Sequence, residues 1–375
     1  MIKSRISLPS LLSDSAVFEN MVEVDYVALH SVAIKHGVVA IVWDEVLRAM
    51  AEGEIEAEQQ PSRAVKMQWA LAVEQVERRY SKQAQVIEKL ARFFAEHDIK
   101  MVILKGYGLS LNYPVPNHRP CSDVDIWLFE EHKTANGSIK RCSAQQRADN
   151  LLREHFNIEI DEEKHHHTVF YVDGVMVENH YDFLNIHAHH SNRIIEQRLQ
   201  QLTQQPMAQV VVGEATVYLP SADFHSLFML RHSASHFAAE RVVVRHLLDW
   251  KYFIEKHTKE IDWDALKQIA TETNMHRFLD CVNAICIDKL GLPEHCVPPF
   301  EREPKLVERV WREILQPEFS EPQPNGAGYI KSWSYMFRRW WANRWKHRIV
   351  YNEGLARTFF VQVYSHLLKP KSLKL

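Results

Sequence analysis

Cysteine is scarce: the 375 residues hold five, Cys121, Cys142, Cys281, Cys286 and Cys296, scattered and without a CxxC pair. An odd number without paired spacing argues against a disulfide framework and against a cysteine zinc site. No apolar run approaches the roughly 18 residues that a membrane span needs. Residues 1–20 lack an apolar core followed by a small-residue cleavage site, so they do not read as a signal peptide. These absences predict a cytoplasmic protein with no transmembrane span. Neither sign of charge dominates, with 45 Lys and Arg against 48 Asp and Glu and a formal net charge of −3. A global attraction to nucleic acid or membrane is thereby removed, and polyanion binding would need a local patch. Internal repeats and low-complexity tracts are missing as well. What is there is ordinary globular composition, 46% apolar and 25% charged, in a chain long enough for two or three domains.

Periodicity divides the chain into three zones. The first, 1–97, reads as an N-terminal helical region, with helical spacing over 26–50, broken at Gly37, and again over 64–97. The second, 98–220, mixes types. Strands are predicted at 100–104, 123–128, 156–160, 168–172 and 175–181, with a short helix at 107–113 and another at 139–155. Asp173-Gly174 between two apolar runs is a strong hairpin signal, and a second hairpin pairs 210–212 with 216–219. The third zone, 221–375, returns to helices at 221–238, 240–257, 262–273, 275–290, 303–315, 331–348 and 355–368.

Chemistry gathers in the central zone. Asp123 and Asp125, two apart on a strand, point to one side while Val124, Ile126 and Leu128 point to the other. Two adjacent carboxylates repel unless a cation lies between them, and magnesium commonly bridges such a pair to substrate phosphates. Just upstream, a strand ends in Leu104-Lys105-Gly106. Glycine at a strand-to-helix turn lets phosphate oxygens approach backbone N–H groups, and Lys105 adds a point charge for them. Arg119, four residues before Asp123, is placed to reach into the same site. Phosphate cradle and metal platform thus fall on adjacent elements, as phosphoryl or nucleotidyl transfer requires.

The run LKGYGLSLNYPVPNHRPCSDVDIWL resembles the signature of a bacterial family of uncharacterised nucleotidyltransferases within the polymerase-beta-like superfamily. Leu104-Lys105-Gly106, a helix, Tyr113-Pro114, Arg119-Pro120 and Asp123-Val124-Asp125 occur in that family's order. Lys105-Gly106 stands where the wider superfamily has Gly-Ser, and Ser122 where a glycine is frequent. The resemblance implies an α+β fold: a mixed-sheet nucleotidyltransferase core flanked by N-terminal helices and a C-terminal helical domain. It also implies Glu178 as third metal carboxylate, in a strand that carries a Glu-x-His pair with His180, and His167 as a pocket residue from the preceding strand. His232 and His236 resemble the paired histidines of the family's helical region and are expected to pack or to touch substrate. The implied cofactor is Mg2+, or Mn2+, held by Asp123, Asp125 and Glu178. The implied partners are a nucleoside triphosphate and an unknown acceptor: a small molecule, a glycan precursor, a protein or RNA.

Other features admit plainer readings. Three consecutive histidines, 165–167, alternate faces and cannot all hold one ion. Arg245 and Asp249 are spaced as an ordinary helix pair. Residues 331–348 carry six Lys and Arg and no acid, with Trp333, Phe337, Trp340, Trp341 and Trp345 on one expected stripe. The plain reading packs that stripe and leaves the cations solvated, and the alternative is a surface for an anionic ligand. Two rival functions stay open: a catalytically inactive nucleotide-binding regulatory protein, and a nucleotidyltransferase acting on RNA ends.

Overall fold

Side-chain caps start two of the first three helices. A computed structural model describes residues 24–163, 166–239, 241–322 and 329–360. In it, Asp25 accepts from the N–H groups of Val27 and Ala28 at the head of α1 (Tyr26–Lys35). Gly37 turns the chain with φ +66° into α2 (Val39–Ala51), and Ser62 caps α3 (Arg63–Ala95). The centre then runs β1 (Lys100–Ile103), α4 (Tyr107–Ser110), β2 (Val124–Lys133), β3 (Ile139–Ser143), α5 (Gln145–Phe156), β4 (His167–Val172) and β5 (Val175–His180). It closes with α6 (His190–Leu202), β6 (Ala208–Val212) and β7 (Ala215–Leu219). The helices α7 (Ala222–Ala239), α8 (Val244–His257), α9 (Trp263–Glu272), α10 (His276–Leu290), α11 (Pro304–Leu315) and α12 (Tyr329–His347) follow. No described helix is long and apolar enough to cross a membrane.

The strands form one mixed sheet in the order β4-β5-β2-β1-β7-β6, with β3 added on β2. β2 runs antiparallel to β1 and parallel to β5, and β1 runs parallel to β7. The Asp173-Gly174 hairpin forms between β4 and β5, with both residues at positive φ, 50° and 75°. A type I′ turn needs that pair of conformations.

Three expectations are corrected. Residues 139–143, expected as the head of a helix, are strand β3, because the exposed second half of β2 extends past the core and pairs with them. The strand expected at 156–160 is absent: Phe156 ends α5, Asn157 turns the chain at φ +51°, and only an Asp161–Val169 bridge joins the sheet. The helix expected from 240 begins at Val244. Of the helix expected at 355–368, residues beyond 360 lie outside those described, as do residues 1–20 and His165.

Each face of the sheet has its own core, and the alternation of β2 separates them. Val124, Ile126 and Leu128 pack with Leu90 and Phe94 of α3 and with Leu152 of α5. Trp127 and Phe129 face the other way, into a core that holds Phe224 and Phe228 of α7, Leu247 of α8 and Val42 of α2. Residues from all three sequence zones share this second core. Asp125 lies on its face, where the sheet meets the C-terminal helices.

Candidate active site

Strand register brings the acidic groups together. In the β2–β5 ladder Asp125 stands opposite Glu178, and in the β5–β4 ladder His180 stands opposite His167. One carboxylate oxygen each from Asp123, Asp125 and Glu178 lies within 4.8 Å of the other two. Asp125 is 1% exposed. Its Oδ1 receives Lys105 Nζ at 2.8 Å and faces His180 Nε2 at 3.2 Å, while its Oδ2 is buried with no hydrogen-bond partner among the described residues. Three converging carboxylates with one orphaned buried oxygen are a donor set that suits a hard divalent cation.

Electrostatics keep the set polar. Burial pushes the Asp125 carboxyl up, yet Lys105 and His180 outweigh it and hold the group well below the usual carboxylate range. Asp123 moves the other way, raised first by burial and then by the Asp125 charge. Burial lowers Lys105, but Asp125 and Asp123 more than offset this and raise it. His180, likewise opposed by burial, is raised to about 9 by its contacts with Asp125 and Glu178.

The Lys105-Gly106 turn sits beside the acids. Leu104 N–H donates to the Asp125 carbonyl at 3.0 Å, locking the end of β1 to β2. Gly106 has φ +56°, a conformation that calls for glycine, and a Cβ there would meet the Asp123 carbonyl at 3.4 Å, an ordinary contact. The helix that follows, α4, is a single turn of four residues. Gln83 of α3 donates to the Asp123 carbonyl at 3.3 Å, and Ser122 Oγ donates to Asp123 Oδ1 at 2.7 Å.

Arg119 is directed elsewhere than expected. Its guanidinium forks onto Asp249 of α8, Nε to Oδ1 at 2.7 Å and Nη2 to Oδ2 at 2.8 Å, and Tyr113 donates its hydroxyl to the same carboxylate at 2.6 Å. The ion pair is buried and ties the loop before β2 to the C-terminal helices. Asp249 is therefore no simple partner for Arg245, whose guanidinium reaches the Pro120 carbonyl instead. Asp182 lies beyond the end of β5, where its N–H donates to the His166 carbonyl.

The helix α7 brings its histidines over the sheet. Burial, and after it Lys105, hold His232 well below its ordinary value, and Asp125 also acts on it. The His232 and His236 rings lie 4.4 Å apart, and a third ring, His246 of α8, lies 6.2 and 6.0 Å from them. His246 accepts from Val243 N–H through Nδ1 at 3.1 Å. Among the described residues this trio is not one of the groups whose ligand atoms approach closely enough for a metal. Sequence reasoning missed His246 and also His225, whose Nε2–H donates to the Leu104 carbonyl at 2.8 Å. His225 precedes His232 by seven residues, two helical turns, so the shared face carried a signal for it.

A model of a family described as an uncharacterised nucleotidyltransferase matches residues 23–289. A crystal structure of an antigenic nucleotidyltransferase-like protein from Paracoccidioides brasiliensis is similar at 19% identity, over 46% of this chain and 74% of that one, with a TM-score of 0.31. No curated protein matches the chain.

Proposed function

Since the chain belongs to the uncharacterised nucleotidyltransferase family, we propose that it moves a nucleoside monophosphate from a nucleoside triphosphate to an acceptor, releasing pyrophosphate. The observation that carries this reading is the meeting of Asp123, Asp125 and Glu178 around the orphaned Asp125 Oδ2, beside the Lys105-Gly106 turn. Mg2+ or Mn2+ held by the three carboxylates would neutralise phosphate charge there. Lys105 pairs with Asp125 at 2.8 Å, and its flexible stem suits a move from Asp125 to a phosphate oxygen. Glu178 comes from a separate strand, a position that suits action on the acceptor nucleophile. His232 and His236, from the covering helix, are assigned to the acceptor side. The cytoplasm is the proposed location.

The inactive-regulator alternative has less support, because a pure nucleotide binder has no need of a third carboxylate at this place. The experiment is incubation with α-labelled triphosphates, Mg2+ or Mn2+ and a cell extract, followed by transfer of label. Asp125→Asn is expected to abolish labelling and to weaken metal–nucleotide binding sharply. Glu178→Gln is expected to abolish labelling while triphosphate binding survives. Equal metal–nucleotide binding by the wild type and by the double variant Asp123→Asn, Asp125→Asn overturns the assignment.

A further inference from the structure

The carboxylates are not alone at the end of β5. His167, Glu178 and His180 offer a second set of ligand atoms, two ring nitrogens and a carboxylate oxygen, all within 4.8 Å of one another. His167 Nε2 lies 3.5 Å from Glu178 Oε1, and His180 Nε2 lies 3.7 Å from Glu178 Oε2. The antiparallel register that pairs His167 with His180 fixes this arrangement in the backbone. Both histidines are buried, so their rings are held by packing.

We propose that His167, Glu178 and His180 form a second divalent-metal site, sharing Glu178 with the three carboxylates, that takes a transition-metal ion such as Mn2+, Co2+ or Zn2+ in preference to Mg2+. The donor chemistry sets the preference: imidazole nitrogen suits first-row transition metals, whereas magnesium keeps to oxygen. A second observation concerns tautomer. His180 Nδ1 lies 3.2 Å from the Asp182 carbonyl, which accepts from it and so places a proton on Nδ1. A backbone carbonyl orienting the far nitrogen is the usual support of a metal-bound histidine. With that proton on Nδ1, the Nε2 lone pair is turned toward Asp125 Oδ1 and Glu178. Electron-pair donors facing each other require a cation between them, a proton or a metal ion. Glu178, with one oxygen toward each histidine, is placed to bridge the two sites.

The test needs no nucleotide and no turnover, so its failure is separate from failure of the transferase reading. Metal-free full-length protein is titrated with Co2+ in excess Mg2+, which fills the oxygen-only site. Binding is followed by calorimetry and by the visible d–d absorption that nitrogen ligands intensify. One Co2+ per chain with that absorption is expected. His167→Gln and His167→Ala should each weaken Co2+ by at least about tenfold and remove the absorption, with thermal melting used to choose the variant that stays folded. Asp123→Asn should keep the Co2+ signal, since Asp123 belongs to the other set. A His167 variant that binds Co2+ like the wild type overturns the proposal, as does loss of the signal in Asp123→Asn.

Discussion

Arg119 and Asp249 stand 130 residues apart in the chain and meet as a forked, buried pair. No sequence spacing announces such a contact. Arg119 looked like a phosphate ligand because it lies four residues before Asp123, but the loop between them turns its guanidinium toward α8. The two roles predict different damage. Arg119→Met leaves Asp249 buried and charged, which should cost roughly 3–5 kcal/mol of stability. Arg119→Lys should recover only part, since one ammonium cannot reproduce the fork. Replacing both partners, as in Arg119→Met with Asp249→Leu, should restore much of the loss. Chemical denaturation measures all three variants, and a loss of nucleotide binding at full stability would instead return Arg119 to the phosphate. Asp123 and Asp125 differ from Arg119 in kind: strand period alone predicts that these two acids share a side of β2, so that part of the site was legible.

At the scale of elements, α12 best separates pattern from packing. Its aromatic stripe is real in spacing but splits in space: Trp340 is buried at 8% exposure, whereas Phe337 and Trp341 are 48% and 52% exposed. Its cations split too. Lys346 is buried against Glu313 of α11, while Arg338 pairs with Glu321 at 2.8 Å on the surface. The expectation that the cations are solvated therefore fails at Lys346. Lys346→Met should destabilise the protein by about 3–5 kcal/mol, because Glu313 would keep a buried charge without its cation. Arg338→Ser should change stability by no more than about 1 kcal/mol, as for an exposed pair. Thermal melts of the two variants side by side test the contrast. Equal effects would show that α12 does not dock through Lys346. The helix boundaries themselves were largely readable, since 3.6-residue periodicity is a local property. β3 was not, because its short polar stretch becomes a strand only by pairing with the overhang of β2.

The whole molecule stores a pH response in its buried histidines. Burial, chiefly, lowers His36, His225 and His347 to about 4 and His246 to about 3. The unfolded chain takes up those protons near pH 6.5. Between 6.5 and 4 the unfolded state thus binds more protons, and stability falls as the pH falls through that window. Glu196 and Asp280, raised by burial to about 7 and about 6, act in the opposite sense, since their folded forms hold protons longer. The four histidines outnumber these two acids, so the melting temperature should drop on acidification from pH 6.5 to 4. Calorimetry over that range checks it, and a flat or rising profile would contradict the neutral, buried state of these rings. Replacing His225, which donates to the end of β1, by Gln should flatten part of the slope.

By itself the sequence determined the α+β class, most helix and strand positions, and the Asp-x-Asp pair on one strand face. Each of these follows from local periodicity or from turn chemistry confined to a few residues. Tertiary structure decided the partners that neither spacing nor the resemblance announced, His246 near His232, Asp249 on Arg119 and Glu313 on Lys346, and it supplied the strand register that sets Glu178 beside Asp125 and His167 across from His180. The reason is that register and docking are settled by which apolar faces can be buried together. In this chain one core draws on α2, β2, α7 and α8 at once, so the neighbours of a polar group depend on residues far from it in sequence.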